Sequence, residues 1–344
     1  MNKKSKPILL ILLLTLGLTV CCSKETSRIT QRAFYYWETS FSLNNEDTSY
    51  LNKLAVNKLY IHFFDVTYTN YLSPEGRIYF QSKIPKSLEV VPVVFITNET
   101  ISKLDSIGII DLAKKIETRL KKEISRTQIE SQVTEIQLDC DWTKSTRNKY
   151  FYLLKLIKKQ MPYTLSATVR LHQYKYQASN IPPVDKGMLM CYNINNPTQF
   201  DVSNSLFDKA EVMQYIKDIK YPMAIDLAVP TFSWGVRFNA QKEFIGLCNA
   251  MRLADIKNDT NFITTARTNV FEVKHDCGTS GQYFTAGELV RIEECNITEV
   301  AEIVSYLKTE VNQAHATLTL FHFDRILKQH ENQKDIINLF NAAR

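Results

Sequence analysis

Residues 135–142 read Glu135-Ile136-Gln137-Leu138-Asp139-Cys140-Asp141-Trp142, and their alternation decides the fold. Successive side chains of a strand point to opposite faces, so Gln137, Asp139 and Asp141 share one face. Ile136, Leu138, Cys140 and Trp142 share the other. A strand of a parallel α/β sheet is buried on both sides and should be apolar throughout. Two carboxylates on one buried face cost free energy unless partners or chemistry require them. One reading makes them a hydrogen-bonded buried acid followed by a helix-capping one. The other places both in a pocket at the strand's C-terminal end, and it fits better because other strands repeat the pattern.

Outward from this stretch, apolar strand patterns occupy 33–37, 58–64, 90–96, 165–171, 187–192, 223–229 and 318–323, which with 135–140 makes eight. Helical stripes fall between them. Ile109, Leu112, Ala113, Ile116 and Leu120 recur at helical spacing, as do Tyr150, Leu153, Leu154 and Ile157 ahead of Pro162. Val300, Ile303, Val304, Leu307 and Val311 form a third stripe. Strand–helix alternation of this kind predicts a parallel sheet, and eight strands favour a closed (β/α)8 TIM barrel spanning residues 32–344 as one domain. The stretch 230–296 is too long for a loop and contains alternating pieces; it predicts a β-hairpin insertion after strand seven, roofing one side of the mouth. No Gly-x-Gly-x-x-Gly or Walker loop follows the first strand, and no cofactor is expected.

The formal charge of +6 reflects 42 basic against 36 acidic residues. Three of those lysines, Lys3, Lys4 and Lys6, precede an apolar run from Ile8 to Leu14, which is too short to span a bilayer as a mature anchor. No basic-aromatic stripe is present, so nucleic acid is not an expected partner. After the apolar run comes Leu18-Thr19-Val20-Cys21-Cys22-Ser23, which resembles the bacterial lipobox. The resemblance implies a signal peptide over 1–21, lipidation at Cys21 with Cys22 as the alternative, and a polar tether to residue 31. The expected product is exported and lipid-anchored to the cell envelope, in the outer membrane, tilted toward the surface by the charged run after the lipid site. The membrane is then a partner through the N-terminal lipid alone. Cys140 and Cys191 lie in apolar strands and read as small hydrophobes; Cys277 and Cys295 bracket a hairpin and could bridge. No cysteine spacing reads as a zinc site.

In such barrels the C-terminal strand ends carry the chemistry. Here they deliver Trp37-Glu38, His62 and Asp65, Asp139 with Asp141, Arg170 and His172, Tyr192-Asn193, Asp226 leading to Trp234, and His322 with Asp324. A mouth rich in aromatic rings, acids and amides is what a sugar site needs: rings stack on pyranose faces, and carboxylates and amides bond hydroxyls. An inward Arg170 beside two aspartates would neutralise one and leave the other to be tuned upward.

Asp139-Cys140-Asp141 on strand four, with Met190-Cys191-Tyr192-Asn193 on strand six, resembles the chitinase-like family-18 glycoside hydrolases. That family carries Asp-x-Asp-x-Glu and Met-x-Tyr-Asp/Asn at these places. The resemblance implies a (β/α)8 barrel, a substrate-orienting role for Asp141 and an assisting one for Tyr192. The proton-donor position is filled by Thr143, which has no acid to give. The wider run Gln137 to Trp142, Tyr152-Leu153-Leu154 and Leu165-Ser166-Ala167-Thr168 resembles an uncharacterised family of exported bacterial lipoproteins with a glycoside-hydrolase-like barrel.

Two readings stay open. In one the protein processes a glycan or oligosaccharide, with Asp139 and Asp141 central and Glu38, or secondarily Glu293, donating the proton. Trp37, Asp65, Arg170, His172, Tyr192, Asn193, Asp226 and Trp234 would bind substrate. In the other it is a non-catalytic glycan-binding or structural lipoprotein that has lost its acid catalyst. A weaker third idea, metal-assisted hydrolysis by Asp65, Asp139, Asp141 and His172, requires those side chains to converge.

Overall fold

The computed structural model describes residues 29–69, 77–176, 180–279, 281–310, 316–323 and 333–343. The signal, Cys21, Cys22 and Asp324 lie outside the described residues.

Eight parallel strands close into a barrel: β1 (Ile29–Tyr36), β2 (Lys58–Val66), β3 (Glu89–Ile96), β4 (Glu135–Asp139), β5 (Thr164–Arg170), β6 (Lys186–Met190), β7 (Ile225–Pro230) and β8 (Ala316–Phe321). Each pairs with its sequence neighbours, and β1 closes on β8. Helices cover the outside with the residues the periodicity marks. Ile109, Leu112, Ala113, Ile116 and Leu120 are the buried stripe of the helix Ser106–Thr127. Asp105 caps that helix by accepting from the Gly108 amide at 2.7 Å, and Gln128 ends it in the left-handed conformation. The helix Arg147–Gln160 stops where it must, because Met161 precedes a proline and is extended. β1 starts at Ile29, so the strand takes in the last residues of the stretch read as tether.

The barrel interior is polar, which explains the acids on β4. At the N-terminal end Lys186 lies 2.7 Å from both Glu135 and Asp226, and Lys58 lies 3.3 Å from Glu135 and 3.1 Å from Glu89. Asp226 also accepts from the Thr317 amide. One layer up, the Tyr35 hydroxyl donates to Gln137, which donates to Ser166. Buried charges are tolerated here because each finds a partner of opposite sign. Asp226, expected at the mouth, therefore belongs to the opposite end of the barrel: it opens β7 rather than closing it.

The stretch after β7 is more than a hairpin. Its five antiparallel strands lie in the order Phe244–Asn249, Ser233–Phe238, Leu289–Glu294, Val270–Val273 and Phe262–Thr264, with a ribbon Cys277–Thr279/Gln282–Phe284 beside them. It has its own small core, including Met251, Phe271, Phe284 and Val290. Gly235 makes room there: a Cβ would stand 2.6 Å from the Met251 sulfur and 3.2 Å from Val290, so the Met251 side chain would have to move. Cys277 packs against that core while Cys295 packs on the barrel's, and both are free thiols.

Candidate functional site

Among the described residues, two neighbouring cavities lie at the C-terminal ends of the strands. The larger, about 610 Å3, lies between the loop after β1, the end of β8 and the insertion. Trp37, Phe232, Trp234 and Phe321 supply half-buried rings, and Glu38, Asn249, Arg252 and Glu294 supply polar groups. The smaller, about 270 Å3, lies over the ends of β4, β5 and β6 and is lined by Asp141, Thr143, Arg170, His172, Tyr192 and Tyr215, among others. Asn193 lines both. The expected single acidic and aromatic hollow is thus two hollows, one mainly aromatic and one holding the ion pair.

The aromatic floor grows from period two on β1 and β8. Tyr35 and Trp37 alternate inward, as does Phe321. The Trp37 ring stacks on His62 at 4.6 Å between centroids, and Phe321 lies 5.0 Å from Tyr192 and 5.3 Å from Phe232. His62 in turn sits 2.7 Å from Asp65 through Nε2. A register slip in β2 between His62 and Phe64 is what brings Asp65, three residues on, back to the side of His62. Asp65 lines neither cavity; its work is to hold the histidine under Trp37.

Asp139 is 8% exposed and accepts from the Thr168 hydroxyl at 2.7 Å. Burial, and then the neighbouring Asp141 charge, pushes its pKa up to about 6, against the pull of the Thr168 bond and Arg170. Asp141, half exposed, is gripped by Arg170 through Nε at 2.6 Å and Nη2 at 2.7 Å. Those bonds outweigh burial and hold the guanidinium still more firmly charged. So the acid nearer the mouth is the neutralised one, and the acid below is tuned upward. Burial, then Arg170, lowers His172, and burial with Asp139 nearby pushes the Tyr192 phenol well up. Thr143 bonds to Ser145 and Thr146, closing the turn after β4.

The raised Asp139 carries a stability prediction. A group whose folded pKa lies above its ordinary 3.8 holds its proton more tightly folded than unfolded. Its contribution is complete below pH ~4 and is lost as pH rises through about 6. The stability of Asp139→Asn relative to wild type should therefore improve by roughly 2 kcal/mol between pH 4 and pH 7. Urea unfolding at both pH values checks this; a difference that stays constant would contradict it.

Glu293, the second candidate donor, is sealed. It pairs with Arg291 at 2.6 Å and accepts from the Ser205 amide and hydroxyl and from the Trp234 indole at 2.7 Å. It fastens the cleft's Trp234 wall to the loop after β6. The sequence reading missed Phe321, Tyr215, Arg252 and Glu294; period two along β8 would have found the first, while the others depend on how the insertion and the helix Lys209–Ile216 dock. Among the described residues no group of three His, Cys, Asp or Glu side chains comes together as a metal site, so Asp65, Asp139, Asp141 and His172 do not converge.

No protein-family model matches the chain, and no curated protein does. Its likeness is to solved barrels. The Bacillus cereus spore cortex-lytic enzyme SleL is 14% identical with a TM-score of 0.50, the match covering 89% of this chain and 75% of that one. A GH18 chitinase of Cycas revoluta, solved with (GlcNAc)4, is 11% identical with a TM-score of 0.50 over 91% and 99%. Catalytic domain 2 of the Ostrinia furnacalis Group II chitinase is 10% identical with a TM-score of 0.51 over 91% and 96%. At these identities the likeness is one of fold: a distant glycoside-hydrolase-like TIM barrel.

Proposed function

We propose that the protein binds a glycan in the aromatic cleft without cleaving it, as an exported lipoprotein held through Cys21 in the outer membrane. The observation that carries this reading is the two-bond Arg170 clamp on Asp141, together with Thr143 where the resemblance would put the acid. A carboxylate fixed in an ion pair cannot serve freely as an orienting or nucleophilic group, and a threonine cannot protonate a leaving oxygen. The cleft meanwhile keeps the features of a sugar site: four rings, amides and carboxylates in a volume typical of ligand pockets. The ligands named with the two chitinases make β-linked amino-sugar oligosaccharides the first class to try.

The hydrolase reading keeps Glu38, which lines the aromatic cleft, as its first candidate donor, and draws also on Asp139, whose pKa of about 6 suits a general acid. Asp139 lines neither cavity, however, which favours binding. Titration calorimetry with N-acetylchitooligosaccharides tests the proposal through Trp37→Ala and Trp234→Ala. Each should weaken binding at least about tenfold, since an aromatic stack contributes about 1 kcal/mol or more beyond the area it buries. Unchanged affinity in both variants would remove the cleft as the binding site.

A further inference from the structure

All eight strands start at one end of the barrel, so the connections that lead into them gather at that base, opposite the cleft. Exposed lysines ring it. Lys53 ends the helix Asn45–Lys53 ahead of β2, and Lys86 lies just before β3. Lys159 stands in the last turn of the helix ahead of β5, and Lys217 and Lys220 lie in the connection into β7. None of these five is ion-paired among the described residues. The exposed acids described at the same end are Glu130, Asp185 and Asp218, and Lys158 takes Asp185 at 2.8 Å. The base therefore carries an excess of unpaired cations. A helix dipole favours a cation at Lys53 and Lys159, but Lys86 and Lys220 sit in connections where it does not act.

The chain enters at this same end. β1 begins at Ile29, below the level of Ala33, where β2 starts to pair with it. Cys21 stands eight residues before Ile29, a span of at most about 28 Å even when fully extended. A strand the length of β2 already runs about 30 Å. A lipid at Cys21 thus reaches a bilayer easily from the base, and from the mouth only with the tether stretched along the barrel.

We propose that the basic base is a docking surface for the anionic phosphate headgroups of the membrane that carries the anchor, standing the barrel with its aromatic cleft facing away from the bilayer. The inference rests on the lipid-anchor reading above and adds an orientation to it. The lipid keeps the protein within the distance of about 8 Å over which surface charge acts, and the lysines decide which end faces the headgroups.

The experiment takes the full-length protein, exported and lipidated by its host cell, into vesicles of phosphatidylcholine alone or mixed with phosphatidylglycerol. Amine labelling read residue by residue by mass spectrometry reports which lysines the bilayer covers. On the anionic vesicles Lys86 and Lys220 should label at least about fivefold more slowly than on the neutral ones, while Lys144 after β4 and Lys257 in the insertion stay unchanged. High salt should remove the difference. The triple variant Lys86→Gln, Lys159→Gln, Lys220→Gln should lose the protection of Lys53 and Lys217 while still sedimenting with the vesicles. Protection that is equal on neutral vesicles, or that falls on Lys144 and Lys257 instead, would overturn the docking surface and leave the anchor standing. Protein that carries no lipid and stays in the supernatant would overturn the anchor, and this inference with it.

Discussion

Replacing Arg291 with Met should destabilise the protein by about 3–5 kcal/mol, lowering Tm by roughly 5–8 °C. Arg291 is wholly buried between the insertion sheet and the loop after β6. It pairs with Glu293 at 2.6 Å and donates to the carbonyls of Pro197, Gln199 and Phe200 at 2.8–3.0 Å. Its guanidinium also lies over the Phe238 ring, 5.1 Å from the centroid. Methionine fills much of the volume but leaves the Glu293 charge buried with Ser205 and Trp234 to bond it and takes the donor from the Pro197 carbonyl, while the Phe200 carbonyl keeps Arg267 and the Gln199 carbonyl keeps the Val202 amide. Unpaired buried charge is the large part of that cost, so Arg291→Met with Glu293→Met should recover part of the loss. Thermal melts of the single and double variants check this. A double variant no more stable than Arg291→Met would show that packing, not charge, governs the junction.

Lys186→Met should produce a loss of similar size with a different signature. Lys186 stands between Glu135 and Asp226 at the closed end of the barrel, and their charges hold its amine well above the usual lysine range. Without it, Lys58 still reaches Glu135 and the Thr317 amide still donates to Asp226, but the cation that lies 2.7 Å from both carboxylates is gone. Burial already raises Asp226, and loss of Lys186 removes the strongest opposing pull. Asp226 would then take up a proton more readily as pH falls, so the destabilisation should be about 3–5 kcal/mol at pH 8 and clearly smaller at pH 5. Denaturant titrations of wild type and variant at the two pH values measure it. An equal loss at both would mean that the carboxylates are not the groups being stranded.

These two ion clusters mark where the sequence was legible and where it was not. The eight strands and the helical stripes were readable, because burial imposes period two and period 3.6 directly: the residues of the stripe Tyr150, Leu153, Leu154 and Ile157 are the buried ones. The inward face of β4 was equally plain. Which end of the barrel an inward polar residue occupies was harder to see. Asp226 reads like a mouth residue until the register places it beside Thr317 at the start of β8. Glu293 reads like a free acid until the insertion sheet folds and Arg291, two residues earlier on the same strand, turns to the same face. Arg170 lying beside Asp141 followed from alternation on neighbouring strands, but its two-bond grip depends on side-chain geometry that spacing cannot give. The division of the mouth at Asn193 depends on the positive φ of one residue and on a loop anchored 88 residues away, at Glu293. Nothing local signals it.

A barrel that holds its glycan and leaves it whole should bind without turnover. The most direct measurement is to saturate wild-type protein with an N-acetylchitooligosaccharide that calorimetry shows to bind, and to follow new reducing ends over many hours. Binding with no release of shorter sugars, unchanged between wild type and Asp139→Asn, is the predicted result. Steady release that Asp139→Asn abolishes would contradict it and make the buried aspartate a catalyst.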